Sequence, residues 1–116
     1  MDDDELDARV QQAFDVMGVL SKVAASHDLS LTQLRTLAIL RTHSPRMSEL
    51  ADYLGLDRST VSGLVDRAVA RGLVRRTVDD ADRRSSRLEL TAAGRDLASI
   101  GADEIRSMLR SSPPSA

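Results

Sequence analysis

Residues 47–90 read MSELADYLGLDRSTVSGLVDRAVARGLVRRTVDDADRRSSRLEL, and their spacing lays out two short helices, a tight turn and a charged hairpin. Met47, Leu50, Ala51 and Leu54 recur at helical intervals and line one stripe, with Ser48 placed to cap the start. Gly55 stops that helix, because glycine takes the left-handed conformation without a Cβ clash, and Leu56 is expected to anchor the turn in the core. Asp57 is placed to cap the second helix, in which Val61, Leu64, Val65, Ala68 and Val69 share one face. The opposite face holds Arg58, Ser59, Ser62, Gly63, Asp66 and Arg67, polar but of little bulk.

After Gly72, Leu73 to Val78 and Arg87 to Leu90 alternate apolar and charged residues as half-buried strands do. The loop between them, DDADRRSS over 79–86, is too charged to pack into a core, since several charges would lose their water. It stands in solvent or against a charged partner. Two helices at a tight turn followed by an exposed hairpin describe a winged helix-turn-helix, and with the helices that flank it the fold class is mainly α (α+β). The low, polar face of the second helix suits entry into a major groove, where base edges are read.

The ordered series LGLDRSTVSGLVDRAVARGLVRR (54–76), DDADRR (79–84) and LELTAAGRDL (88–97) resembles the MarR family of bacterial transcription regulators, over roughly Leu29 to Leu97. The resemblance implies sequence-specific binding of double-stranded DNA, most often as a repressor, by a homodimer that sets its second motif helices in successive major grooves of a pseudo-palindrome. On that helix Ser59, Thr60 and Ser62 are expected to face bases or their flanking phosphates, with Gly63 keeping the surface low, while Arg58, Arg67 and Arg75 contact phosphates or the groove edge. In the wing, the family's Asp-x-Arg arrangement implies that Arg84 pairs with Asp66, leaving Arg83 for a minor groove.

Charge, taken along the chain, agrees. The net charge is −2, yet residues 1–28 carry −5, 29–56 carry +1, 57–87 carry +3 with eight arginines, and 88–116 carry −1. The positive segment is the expected reading head. A winged-helix module that binds protein instead of DNA is the alternative, and it would be expected to have lost those arginines. The 116 residues, 41% hydrophobic and 29% charged, suit one globular domain over 1–110, with a disordered tail at 111–116. Without a long apolar stretch the chain is expected in the cytoplasm and off the membrane. The absence of cysteine excludes a disulfide framework and a thiolate redox switch. His27 and His43 stand near helix ends without carboxylates at metal-ligand spacing, and no nucleophile motif or phosphate loop is present, so no enzyme activity, metal or cofactor is expected.

The flanks carry the expected assembly. Leu6, Val10, Ala13, Met17, Leu20 and Ala24 recur at alternating steps of four and three, a heptad seam that calls for a partner helix in an N-terminal dimerisation helix over 1–28. Ser30 and Gln33 form a capping box for the next helix, stapled by Leu29 and Leu34, which Ser44-Pro45 ends. The winged helix-turn-helix proper spans 29–90. Thr91 caps a last helix over 91–110, in which Leu97, Ile105 and Leu109 are expected to join the dimer contact. The resemblance implies a further helix after this one, so the C-terminal helix is expected to be shortened relative to the family, with the dimer resting on the seams at 6–24 and 97–109. The resemblance also implies a small aromatic or phenolic effector between the dimer helices and the reading head, although Phe14 and Tyr53 alone form no aromatic cage.

Overall fold

The computed structural model describes residues 1–78 and 80–111. Five helices and a two-stranded antiparallel sheet follow in the order α1 (Asp3–Ser26), α2 (Leu31–Leu40), α3 (Met47–Leu54), α4 (Arg58–Ala70), β1 (Val74–Val78), β2 (Ser86–Leu90) and α5 (Ala92–Ser111). Residues 112–116 of the expected tail lie outside the described residues, and Ser111 closes α5 instead of opening the tail.

Caps fix most helix starts. Ser30 Oγ accepts from Gln33 N at 3.1 Å while the Gln33 side chain accepts from Ser30 N at 2.7 Å, closing the box that begins α2. Asp2 does the same service for α1 through Glu5 N. For α3 the expectation needs correcting. The cap position is Arg46, whose N–H donates to Glu49 Oε1 at 3.0 Å, and Ser48 lies inside the first turn. Gly55 takes the left-handed conformation, but Leu56 is 37% exposed and does not reach the core. Its N–H bonding to Ala51 O holds the turn instead.

Leu50, Val61, Val65, Val74, Leu88 and Leu90 are the fully buried centre, drawn from α3, α4 and both strands. Burial of several such side chains, each favoured by about 1.5–3 kcal/mol, joins the hairpin to the helix pair. In register, Val74 faces Leu90 and Arg76 faces Leu88. The hairpin has a third partner without a signature in the residue pattern: Arg46 bridges Arg87, and Leu88 N donates to Pro45 O at 2.9 Å, so the α2–α3 connection runs along β2.

The exit from the wing shows why Thr91 and Gly94 stand three apart. Thr91 Oγ1 donates to Gly72 O and accepts from Gly94 N, and Thr91 N donates to Leu73 O. That pulls the first turn of α5 against the β1 entry so closely that a Cβ on Gly94 would stand 2.0 Å from Leu73 O. Further along α5, Ala98 and Gly101 are buried, with Gly101 against Leu34 of α2 and Val23 of α1.

The heptad seam divides in two. Ala24 is 1% exposed within the chain's own core and so is not free for a partner as expected, while Leu20 packs partly against that core and stays half-exposed. Leu97 and Ile105 also pack partly on the core and remain half-exposed. A helix seam looks alike in sequence whether its cover is another helix of the same chain or a second copy, and here α2 and α5 take the C-terminal third of α1. Towards the N-terminus Leu6, Val10 and Met17 are exposed, Ala13 with them, and Phe14 is 62% exposed; on α5 so are Ile100 and Leu109. No helix among the described residues is long and apolar enough to cross a membrane.

Candidate nucleic-acid interface

Asp57 starts the candidate reading helix. Its Oδ1 accepts from Thr60 N and from Ser59 Oγ, each at 2.8 Å. The backbone bond from Thr60 first, then the Ser59 hydroxyl, hold its carboxyl below the ordinary range, so it stays ionised as a cap. Ser59 therefore spends its proton on the cap and presents lone pairs outward. Arg58, Ser59, Thr60, Asp66 and Arg67 are exposed, and Ser62 and Gly63 half-buried, so the expected reading residues share the solvent side opposite Val61, Leu64 and Val65. Gly63 has no packing reason to be glycine: a Cβ there would meet only Arg67 Nη1, at 3.5 Å.

The wing is tied to this face by Arg76. Its Nη2 donates to Asp66 Oδ1 at 2.6 Å, so the expected pairing of Asp66 with Arg84 is replaced by one from β1. Strand periodicity is the cause, since Arg76 shares the face of Val74, which looks towards α4, and could have been read from the alternation itself. Arg75 falls on the other face, 3.6 Å from Glu89 across the ladder, which sets it apart from the helix residues with which it was grouped. Arg87, unassigned from sequence, donates to Ser44 O at 2.8 Å and lies 3.9 Å from Glu49, bracing the wing root on α3.

Arg83 and Arg84 are exposed at the tip. Asp82 folds the tip beneath them: its carboxylate accepts from Arg84 N and Ser85 Oγ, and its carbonyl from Ser85 N. An Asx turn of this kind prearranges the loop. On the helical body, α1, α2 and α5 enclose a groove of about 870 Å³ with an apolar lining that includes Met17, Leu34 and Ile105. Arg9, Arg35 and Arg41 line it, and no carboxylate does. Among the described residues no His, Cys, Asp or Glu cluster could hold a metal ion.

A helix pair with a capped, solvent-facing second helix, and an arginine-bearing hairpin latched to it, is a winged helix-turn-helix, and the sequence profile of one regulator family matches residues 27–85. The chain belongs to the MarR family. Its members are non-enzymatic transcription regulators with a winged helix-turn-helix. Over 77 residues it is 36% identical to the HTH-type transcriptional repressor NicR of Pseudomonas putida, covering 66% of this chain and 49% of that one. The chain spans about half the length or less of the curated relatives it matches. Among solved structures it resembles the transcriptional regulator Tm0710 of Thermotoga maritima, with a TM-score of 0.75 at 30% identity over 85% of this MarR-family chain and 70% of the other. It also resembles the transcriptional repressor CouR bound to a 23-mer DNA duplex, with a TM-score of 0.72 at 27% identity over 86% and 71% of the two chains.

Proposed function

We propose that this protein represses transcription by binding a pseudo-palindromic DNA duplex as a twofold dimer. The observation that carries the reading is the outward face of α4, small and polar at its N-terminal end and latched through Asp66–Arg76 to an arginine wing. In this reading Ser59, Thr60 and Ser62 meet base edges across the low surface at Gly63, while Arg58 and Arg67 hold flanking phosphates. Arg83 enters a minor groove, with Arg84 and Arg75 on the neighbouring backbone. The exposed part of the α1 seam, Leu6, Val10, Ala13 and Met17, meets its symmetry mate together with Leu109, setting the two heads about 34 Å apart along the duplex. CouR, a relative whose structure was solved on a DNA duplex, supports duplex DNA as the partner. The groove among α1, α2 and α5 suits a small aromatic anion as releasing effector, because its floor is apolar and its charged lining residues are all cationic.

Selection of duplexes from a random pool, followed by titration of the enriched sequence against a scrambled one over a salt series, tests this. The enriched duplex is expected to contain an inverted repeat and to bind at least a thousandfold more tightly than the scramble, with affinity falling steeply as salt rises. Equal binding to both duplexes, or none to either, would overturn the reading in favour of a protein-binding module.

A further inference from the structure

The turn between α1 and α2 is gripped from two sides. Arg71, the cap residue that ends α4, donates from Nη1 to Asp28 O at 2.9 Å and from Nη2 to His27 O at 3.2 Å. On the other side His27 Nε2 lies 3.1 Å from both carboxylate oxygens of Glu104 on α5. Asp28 has a φ of +59°, the only positive value at a non-glycine among the described residues. A strained backbone of this sort persists where its neighbours fix it. The last turn of α1 has no basic residue of its own, so Arg71 also brings the cation that a helix C-terminus favours.

Apolar packing does little to fix α4 against α1. The helix rests mainly on α3 and β1. On its α2 side Leu64 and Ala68 pack with Leu29, Leu37 and Leu73 around a gap of only about 10 Å³ that Arg71 borders. Such apolar contacts are non-directional, so they do not by themselves fix the orientation of the end of α4. Among the described residues, the hydrogen bonds from the end of α4 to the α1–α2 turn are those of Arg71.

We infer that Arg71 is a positioning residue, which sets the angle between the reading helix and the α1/α5 body and thereby the spacing of the two heads. The consequence for spacing rests on the DNA reading proposed above; the angle itself does not. Arg71 touches no base in this account. It acts through the carbonyls of His27 and Asp28, and the His27–Glu104 contact passes the constraint to α5.

The sequence contains no cysteine, so Gln11→Cys with Thr60→Cys places two unique spin labels at exposed positions of α1 and α4. Pulsed electron-spin distance measurement on labelled chains diluted into unlabelled protein is expected to give one narrow distribution. Arg71→Ala is expected to broaden or shift it, with Arg71→Lys, a charge with a single donor centre, lying between the two. An unchanged distribution in Arg71→Ala overturns the inference. On duplexes whose half-site separation is varied by single base pairs, the wild type is expected to prefer one separation. Arg71→Ala is expected to lose about tenfold there while keeping its affinity for an isolated half-site, so that the spacing profile flattens. A uniform loss at every separation and on the half-site marks a merely structural residue and counts against positioning. If the wild type selects no duplex, the DNA proposal falls by itself and the distance distribution alone decides the role of Arg71.

Discussion

Gly63 separates what α4 needs to fold from what it needs to work. A Cβ there meets only Arg67 Nη1 at ordinary contact distance, so Gly63→Ala is expected to raise stability by about 0.8–1 kcal/mol in urea unfolding through helix propensity. In the proposed complex the same methyl would lift the face away from the bases, and duplex affinity is expected to fall; a variant that is both more stable and an equal binder would remove Gly63 from the proposed interface. Gly94 is the opposite case, because its Cβ would stand 2.0 Å from a backbone oxygen. Gly94→Ala is expected to cost about 1–3 kcal/mol or more, since neither α5 nor Leu73 can yield cheaply. Asp57 supplies a pH test. Its carboxyl is held low chiefly by Thr60 N–H, so its capping contribution is complete above the ordinary carboxyl range and disappears as pH falls through the lowered folded value. Thermal melts from pH 6 down to pH 3 are expected to show a decline that is shallower in Asp57→Ala, which starts from a lower melting temperature.

At the scale of elements, the latch between wing and reading helix is the part open to direct test. Arg76 and Asp66 are both well exposed, so their pairing adds little to stability, about 0.2–1 kcal/mol before salt screening. Its effect is expected in binding: Arg76→Ala and Asp66→Ala should each weaken duplex affinity while moving the melting temperature little, and the double variant should be no worse than the poorer single one. Strictly additive losses would mean the two act separately. The helices were legible from local chemistry, since Ser30 with Gln33, Asp57, and Thr91 each announce a start within four residues of sequence. Family spacing points to Arg84 as the latch, whereas strand alternation puts Arg76 on the α4 side, and the structure follows the alternation. The Arg46–Arg87 bridge had no local signature, for one residue beside a proline carries no period and its partner lies 41 positions on.

For the whole molecule, the division of the α1 seam could not be foreseen, because Ala24 inside the chain and Met17 outside it obey one spacing. Met17→Glu tests the exposed half. A carboxylate there would be desolvated in the proposed dimer but left in water in the free chain, so the variant is expected to sediment as a folded monomer and to lose full-site affinity. A wild type that is monomeric well above micromolar concentration would count against the dimer. The length of α1 has a separate consequence. Its acidic start, Asp2 to Glu5, is 24 residues from the end that Arg71 ties to α4, or about 36 Å along the helix, while the arginines gather on α4 and the hairpin. The molecule is therefore an electric dipole with its positive pole at the reading head. In the field of a polyanion it turns before it touches, so productive encounters with DNA should be fast at low ionic strength and slow as salt shortens the reach of that torque.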